Sequence, residues 1–139
     1  MGNVIFLSAN YEYTCSVAEK FAKYKDMFFV STNDMIEYEL SVLEVGADLN
    51  AITEQTLLRL LQYEGCAIAM GLDFLKYDKV KELCFDCKNL VYLPLDKESL
   101  NFPYSLVGDE LEGYFSSKAK YILLKDQIPA CFKDIKIEE

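Results

Sequence analysis

The chain has 139 residues, of which 52% are hydrophobic, and it carries a formal net charge of −9 and no histidine. The negative charge disfavours nucleic acid and anionic membranes as partners, and the missing histidine excludes serine–histidine and cysteine–histidine nucleophile systems. We expect one domain spanning residues 1–139, because a chain of this length can bury a single hydrophobic core.

The first residues lead straight into an apolar segment, without the basic start and the cleavage site of a secretion signal. The chain contains five cysteines, an odd number, and some of them lie within apolar segments. The sequence has no apolar run that approaches the length of a membrane span. These features predict a reduced, cytoplasmic protein with free thiols and no membrane partner.

Apolar runs typical of buried parallel strands alternate with amphipathic segments typical of helices. The predicted strands cover residues 3–8, 27–32, 66–71, 89–95 and 119–125. The predicted helices cover residues 15–25, 33–46, 48–65, 73–88, 108–118 and 128–139, with Asn33 as one N-cap and Gly46 and Gly65 as helix ends. This alternation predicts an α/β fold, a three-layer sandwich around a five-stranded parallel sheet.

Ligands of such sheets bind at the carboxyl ends of the strands. The candidate site therefore consists of the turns after the first three predicted strands, SANYEYTC (8–15), STND (31–34) and MGLD (70–73). The first turn occupies the place where many nucleotide-binding proteins keep a glycine-rich phosphate loop, but it contains no glycine and no lysine.

In order and spacing, these three turns resemble those of shikimate kinase, a small P-loop kinase that phosphorylates a carboxylated cyclohexene triol with ATP. The resemblance extends from residue 3 to about residue 133 and rests on an ungapped register of turns and flanking segments. It implies a P-loop kinase-like fold with the strand order 2-3-1-4-5. The segment 96–110 contains no arginine and is short for the family's lid, so we expect the lid to be reduced or absent.

The resemblance places Ser8, Tyr11 and Tyr13 on the three glycines of the family's phosphate loop, G-x-x-G-x-G-K followed by Ser or Thr. Thr14 falls on the lysine and Cys15 on the magnesium ligand. A phosphate loop needs glycines so that its N–H groups can converge on phosphate, and it needs the lysine to offset the phosphate charge. Two tyrosines would place bulk where the phosphates go, so the resemblance implies a degenerate Walker A motif.

The substrate side of the predicted site departs from the family in the same way. Ser31 and Asn33 take the places of the two aspartates of a D-T-D motif, and neither can carry a negative charge. Of the three glycines in a substrate-gripping turn, only Gly71 is kept. The sole arginine, Arg59, lies about two helical turns past the family's first substrate arginine, where Asn50 falls instead.

Several residues allow alternative interpretations. Asp34 and Asp73, also in the remodelled substrate pocket, are either relocated acid–base or metal groups or carboxylates that stabilise helix dipoles. Cys15 is a candidate reactive thiol, because it is expected at a helix N-terminus. Cys84 and Cys87 form a lone C-x-x-C, for which packing is favoured over zinc or redox chemistry.

The sequence therefore predicts a shikimate-kinase-like protein that has lost kinase activity, a pseudoenzyme that acts in binding or regulation. We assign no catalytic residue, metal or cofactor, and the candidate partners are a small molecule or another protein. The first alternative is an enzyme: a phosphotransferase of the P-loop kinase fold with an unusual loop, or another small-molecule enzyme built on Asp34, Asp73 and Cys15. A second alternative is a structural subunit that associates with a true kinase.

Overall fold

A computed structural model describes residues 2–44, 46–94 and 117–138 of the chain. Five parallel strands form one sheet with the order β2-β3-β1-β4-β5. The strands are β1 (Val4–Leu7), β2 (Phe28–Ser31), β3 (Cys66–Ala69), β4 (Leu90–Tyr92) and β5 (Tyr121–Ile122). The predicted α/β class, the five-stranded parallel sheet and the strand order 2-3-1-4-5 are confirmed.

Helices cover both faces of this sheet. They are α1 (Tyr11–Lys25), α2 (Thr32–Ser41), α3 (Leu49–Leu60) and α4 (Asp78–Asp86), with short 3₁₀ helices at Leu72–Lys76, Lys125–Gln127 and Ala130–Asp134. Val4 and Phe6 pack on the layer that contains α1 and the last 3₁₀ helix. Because side chains alternate along a strand, Ile5 and Leu7 pack on the opposite layer, which contains α2, α3 and α4. Within the described residues, no helix combines the length and the apolar character needed to cross a bilayer.

Three phenylalanine rings fix α1 against the sheet and the C-terminal segment. The Phe21 ring lies 5.4 Å from the Phe6 ring and 5.3 Å from the Phe132 ring, both in edge-to-face geometry. All three side chains are buried. Edge-to-face aromatic pairs add stability beyond the area that they bury, so this cluster holds α1 against the sheet and the C-terminal segment.

Two asparagines organise the amino ends of the strands. Asn89 is buried, and its side-chain nitrogen donates to the carbonyl oxygens of Asn3 (2.9 Å) and Glu138 (2.8 Å). Its side-chain oxygen accepts from the Glu138 N–H at 2.8 Å. Asn3 in turn bonds the backbone of Tyr63 and Cys66. These bonds hold the C-terminal segment beside the start of β1.

The predicted bounds of α1 and α2 were wrong at the ends that face the candidate site. Asn10 caps α1, which begins at Tyr11, so the eight-residue turn predicted at 8–15 is a three-residue turn. Ser31, rather than Asn33, is the N-cap of α2.

The other end of α2 also differs from the prediction, because the helix ends at Ser41, before Gly46. The Ser41 hydroxyl donates to the Tyr38 carbonyl at 2.7 Å. Serine hydroxyls that bond nearby carbonyls in this way compete with helix continuation.

The other predicted helices are shorter than expected. The helix predicted at 48–65 ends at Leu60, and a tight turn then leads to Gly65, which has a φ of +73°. The helix predicted at 73–88 is interrupted at Tyr77, where the backbone is extended. The closing helix predicted at 128–139 is only a 3₁₀ helix, because backbone groups of residues 136 and 138 bond the side chains of Tyr121 and Asn89.

The second strand was predicted to be buried, but β2 lies at the edge of the sheet, and the Phe28 side chain is 76% exposed. Two further expectations concern residues that the structure does not describe: the lid segment at 96–110, and the helix at 108–118 apart from its helical residues 117 and 118.

Candidate functional site at the carboxyl ends of β1, β2 and β3

The turn between β1 and α1 consists of Ser8, Ala9 and Asn10 and is closed by its own hydrogen bonds. The Asn10 side chain accepts from the Tyr13 N–H at 3.2 Å. The hydroxyls of Ser8 and Thr14 lie 2.5 Å apart, and Thr14 also donates to the Asn10 carbonyl at 3.1 Å. Thr14 is fully buried. The residues from Tyr11 to Cys15 are therefore helical, and only Ser8 of the predicted phosphate-loop positions lies in a turn.

Tyr11 connects α1 to the ends of two strands. Its hydroxyl lies 2.6 Å from Ser31 Oγ and 3.3 Å from the Ala69 carbonyl, and it accepts from the Asn33 N–H at 3.1 Å. Burial raises the pKa of the Tyr11 phenol above its ordinary value, although the hydrogen bonds from Ser31 and Asn33 oppose the shift. Tyr11 therefore lies, as a neutral phenol, across the carboxyl ends of β2 and β3.

Thr32 joins the second and third turns directly. Its hydroxyl donates to the Ala69 carbonyl at 3.0 Å and accepts from the Gly71 N–H at 2.9 Å. A side chain at Gly71 would place its Cβ 2.5 Å from Asn33 Oδ1, so the Asn33 side chain packs directly on this glycine. Together with the Tyr11 bonds, these contacts bring the three predicted turns into one cluster.

Tyr13, which was predicted to fill phosphate space beside Tyr11, points elsewhere. It packs against the core cluster that contains Phe132. Its hydroxyl is buried and finds no hydrogen-bond partner within the described residues. Burial raises the pKa of this phenol, and the nearby Cys131 thiol adds to the shift. Tyr13 therefore belongs to the packing between α1 and the C-terminal 3₁₀ helix rather than to the candidate site.

Cys15 lies in the second turn of α1 rather than at the helix N-terminus, so the reason for predicting a reactive thiol does not hold. Its sulfur lies 3.9 Å from Ser31 Oγ. Cys84 is buried, and burial raises the pKa of both the Cys84 and the Cys87 thiol, as expected for packed cysteines.

The carboxylates and the arginine do not converge on the cluster. Asp34 and Asp73 are exposed and lie in the first turns of α2 and of the 3₁₀ helix at 72–76, where carboxylates stabilise helix dipoles. Within the described residues, no group of three or more histidine, cysteine or acidic side chains is arranged to hold a metal ion. The Arg59 guanidinium lies 3.5 Å from Glu39, and its side chain is 56% exposed.

An open groove of about 630 Å³ lies beside the cluster, between the outer face of α1 and the carboxyl end of β2. Its lining includes both acidic and basic residues, namely Glu12, Glu19, Asp34, Lys20 and Lys23. Tyr11, Ser31 and Asn33 also line the groove, at the carboxyl end of β2.

Sequence reasoning missed Asn10 and Thr32, which hold the cluster together. Asn10 carried a detectable signal, because an asparagine directly before an amphipathic run is a common N-cap. Thr32 carried no comparable signal, since its two partners, Ala69 and Gly71, are distant in sequence and meet it only when β2 and β3 pair.

Comparison with family models finds no match for this chain, and no curated protein matches it. Among solved structures, the chain is similar to shikimate kinase from Acinetobacter baumannii in complex with shikimate. The TM-score is 0.70 and the sequence identity is 14%, and the match covers 88% of this chain and 83% of that chain. A likeness at this identity shows the fold alone. The chain has a P-loop kinase-like α/β fold.

Proposed function

We propose that this chain is a binding protein with a regulatory role, built on a shikimate-kinase-like fold from which phosphoryl-transfer chemistry has been lost. The observation that carries the proposal is the Tyr11 hydroxyl, which lies within hydrogen-bond distance of Ser31 Oγ, the Asn33 N–H and the Ala69 carbonyl. These bonds place an aromatic side chain at the carboxyl ends of the strands, where sheets of this type bind their ligands.

The first support for the proposal concerns backbone donors. A phosphate group at such a site is held by backbone N–H groups that point at it. Here the Tyr13 N–H bonds the Asn10 side chain, the Asn33 N–H bonds Tyr11, and the Asp34 N–H lies 3.4 Å from Ser31 Oγ. A bound phosphate would have to displace these internal partners before it could use the same donors.

The second support concerns charge. Thr14, at the position that the resemblance gives to the phosphate-binding lysine, is neutral, fully buried and bonded to Ser8. Cys15 offers a thiol where Mg²⁺ prefers oxygen. Ser31 and Asn33 supply no negative charge, and the exposed Asp34 lies in the first turn of α2, on the wall of the groove. These residues do not fit a magnesium-bound triphosphate, and no catalytic step follows from them.

The third support concerns the substrate side. The sole arginine of the chain, Arg59, faces Glu39. Asn50, which aligns with the family's first substrate arginine, is a neutral side chain that accepts from the Tyr77 hydroxyl at 3.1 Å. The candidate site therefore presents no arginine that could bind the carboxylate of a substrate. The mixed-charge groove beside Tyr11 favours a neutral or zwitterionic ligand, or the surface of another protein.

The proposal is tested by melting the protein with ATP and Mg²⁺, with adenosine, and with shikimate, each at millimolar concentration. We expect no shift with ATP beyond that with adenosine. A ligand at 100 times its dissociation constant stabilises a fold by about 2.7 kcal/mol, which a melting curve resolves easily. A shift of several degrees with ATP that is absent with adenosine would contradict the proposal and would favour the alternative, a phosphotransferase with an unusual loop.

A further inference from the structure

Among the described residues, β2 is the last strand on one side of the sheet, and no described strand lies along its outer edge. Proteins commonly protect such edges with charged residues, proline or bulges. The four residues of β2, Phe28–Ser31, include neither charge nor proline. Phe28 is also the most exposed large hydrophobic side chain among the described residues, at 76%. This edge therefore lacks the usual protection against pairing with another strand.

The hydrogen bonds of β2 determine which backbone groups face the open edge. The Phe28 N–H donates to the Gly65 carbonyl at 3.0 Å, so the peptide groups of Phe28 and Val30 face β3. Alternation along the strand then directs the N–H and C=O of Phe29 to the open edge, together with the Met27 carbonyl and the Ser31 N–H. The Met27 N–H already bonds the Ala22 carbonyl at 2.8 Å.

We propose that two copies of this chain associate through antiparallel pairing of their β2 strands, with Phe29 opposite Phe29 of the second copy. In this register the two Phe29 residues exchange N–H···O=C bonds. The Ser31 N–H of each copy donates to the Met27 carbonyl of the other. All the outward groups of β2 find partners, and the two sheets become one continuous sheet.

The same register accounts for the exposed phenylalanine. It places Phe28 opposite Val30 of the second copy. These two residues form a non-hydrogen-bonded pair, the type of antiparallel pair in which the two side chains lie closest together. Phe28 and Val30 point to the same face of the sheet, the face on which Val30 packs against the cluster of α2 and α3. Because the interface is two-fold symmetric, the contact forms twice and covers both copies of Phe28.

The charges beside β2 favour a second copy over an unrelated partner. The groove along this edge is lined by Glu12 and Asp34 near the carboxyl end of the strand and by Glu19, Lys20 and Lys23 toward its amino end. Lys23 lies 3.7 Å from Glu19, so the amino end keeps a smaller net positive charge, which Lys20 supplies. A two-fold axis through Phe29 brings the acidic end of one copy beside the basic end of the other. The edge is therefore complementary to itself in charge, which is the requirement for a symmetric interface.

The association is tested by sedimentation equilibrium of the full chain from micromolar to near-millimolar concentration. The wild type is expected to reach twice the chain mass of 16.0 kDa, and Phe28→Lys is expected to remain monomeric. The matched control is Ile122→Lys, because Ile122 is 45% exposed on the opposite edge strand, β5. This control should still dimerise. A monomeric wild type, or a Phe28→Lys variant that dimerises as the wild type does, would overturn the proposal.

A disulfide test determines the register and does not depend on how well Phe28→Lys folds. Phe28→Cys and Val30→Cys chains are mixed and oxidised with glutathione disulfide, and the cross-linked peptides are identified by mass spectrometry. The mixture is expected to link position 28 to position 30 between chains. Phe28→Cys alone should not link to itself, because the two copies of position 28 lie two residues out of register. Self-linkage at position 28, or no 28–30 linkage in the mixture, would overturn the register. None of these outcomes depends on nucleotide binding.

Discussion

The hydroxyl of Tyr11 and the Oγ of Ser31 lie 2.6 Å apart, and this contact joins the first turn of α1 to the end of β2. Ser31 is also the N-cap of α2, so the Tyr11 hydroxyl, Ser31 and the first N–H groups of α2 form one hydrogen-bonded unit. The N–H groups of Tyr13, Asn33 and Asp34, which lie at the carboxyl ends of β1 and β2, are bonded to side chains of the protein itself.

Replacing Tyr11 with phenylalanine tests the strength of this unit. The variant keeps the ring but leaves the Asn33 N–H and Ser31 without their shared partner. The free energy of unfolding is expected to fall by about 1 kcal/mol, because the variant loses the part-buried hydrogen bond between Tyr11 and Ser31, while water can reach the exposed Asn33 N–H. Urea denaturation measures the change. A variant as stable as the wild type would show that the Tyr11 hydroxyl does not hold the site together.

Replacing Tyr13, two residues later, with phenylalanine is expected to have the opposite effect on stability. The Tyr13 hydroxyl is buried without a hydrogen-bond partner among the described residues, so Tyr13→Phe removes an unsatisfied polar group. The free energy of unfolding is expected to rise by about 1 kcal/mol. A loss of stability comparable to that of Tyr11→Phe would mean that the Tyr13 hydroxyl has a partner, and it would contradict the packing described above.

The contrast between these tyrosines shows what the sequence could and could not predict. The alternation of strands and helices predicted the sheet and the meeting of three turns at the carboxyl ends of the strands, and the resemblance to shikimate kinase implied the strand order. It did not predict that Asn10 starts the helix at Tyr11. In a loop, Tyr11 and Tyr13 would point into the same space, whereas on a helix they point about 200° apart.

The C-terminal segment shows a second limit of sequence reasoning. Its apolar pattern predicted a helix at 128–139, but the backbone near its end bonds the side chains of Tyr121 and Asn89. Those partners are up to 49 residues distant in sequence. Local propensity cannot reveal bonds that form only after β4 and β5 have joined the sheet.

The Tyr11 phenol also gives stability a dependence on alkaline pH. Because burial raises the pKa of Tyr11 above its ordinary value of 10.0, the folded chain holds this proton more tightly than the unfolded chain. The contribution is fully present below the unfolded pKa and is lost as the pH rises through the folded pKa. The stability difference between wild type and Tyr11→Phe should therefore shrink above about pH 10.

Urea denaturation on both sides of this pH, with Tyr38→Phe as a control, checks the prediction. Tyr38 is 68% exposed, so its removal should leave the alkaline profile of the wild type unchanged. A constant difference between wild type and Tyr11→Phe across the alkaline range would show that Tyr11 is not the residue responsible.

Asn89 is expected to be the residue that holds the C-terminal segment in place. Asn89→Ala removes hydrogen bonds to the Asn3 carbonyl and to both backbone groups of Glu138, and the free energy of unfolding should fall by about 3 kcal/mol. Hydrogen exchange at the Glu138 amide should accelerate in the same variant. Asn50→Ala, which removes an exposed bond to Tyr77, serves as the control and should cost less than about 1 kcal/mol. Unchanged exchange at Glu138 would contradict this role.

The most direct test of the proposed function is a phosphoryl-transfer measurement. The purified chain is incubated at high micromolar concentration with γ-labelled ATP, Mg²⁺ and shikimate, and label is followed both in phosphorylated product and in free phosphate. An authentic shikimate kinase serves as the positive control. A binding protein without phosphoryl-transfer chemistry is expected to give neither product above the buffer rate. Formation of either labelled product would contradict the account if the activity co-purifies with the chain through two unlike purification steps and is lost when Mg²⁺ is chelated.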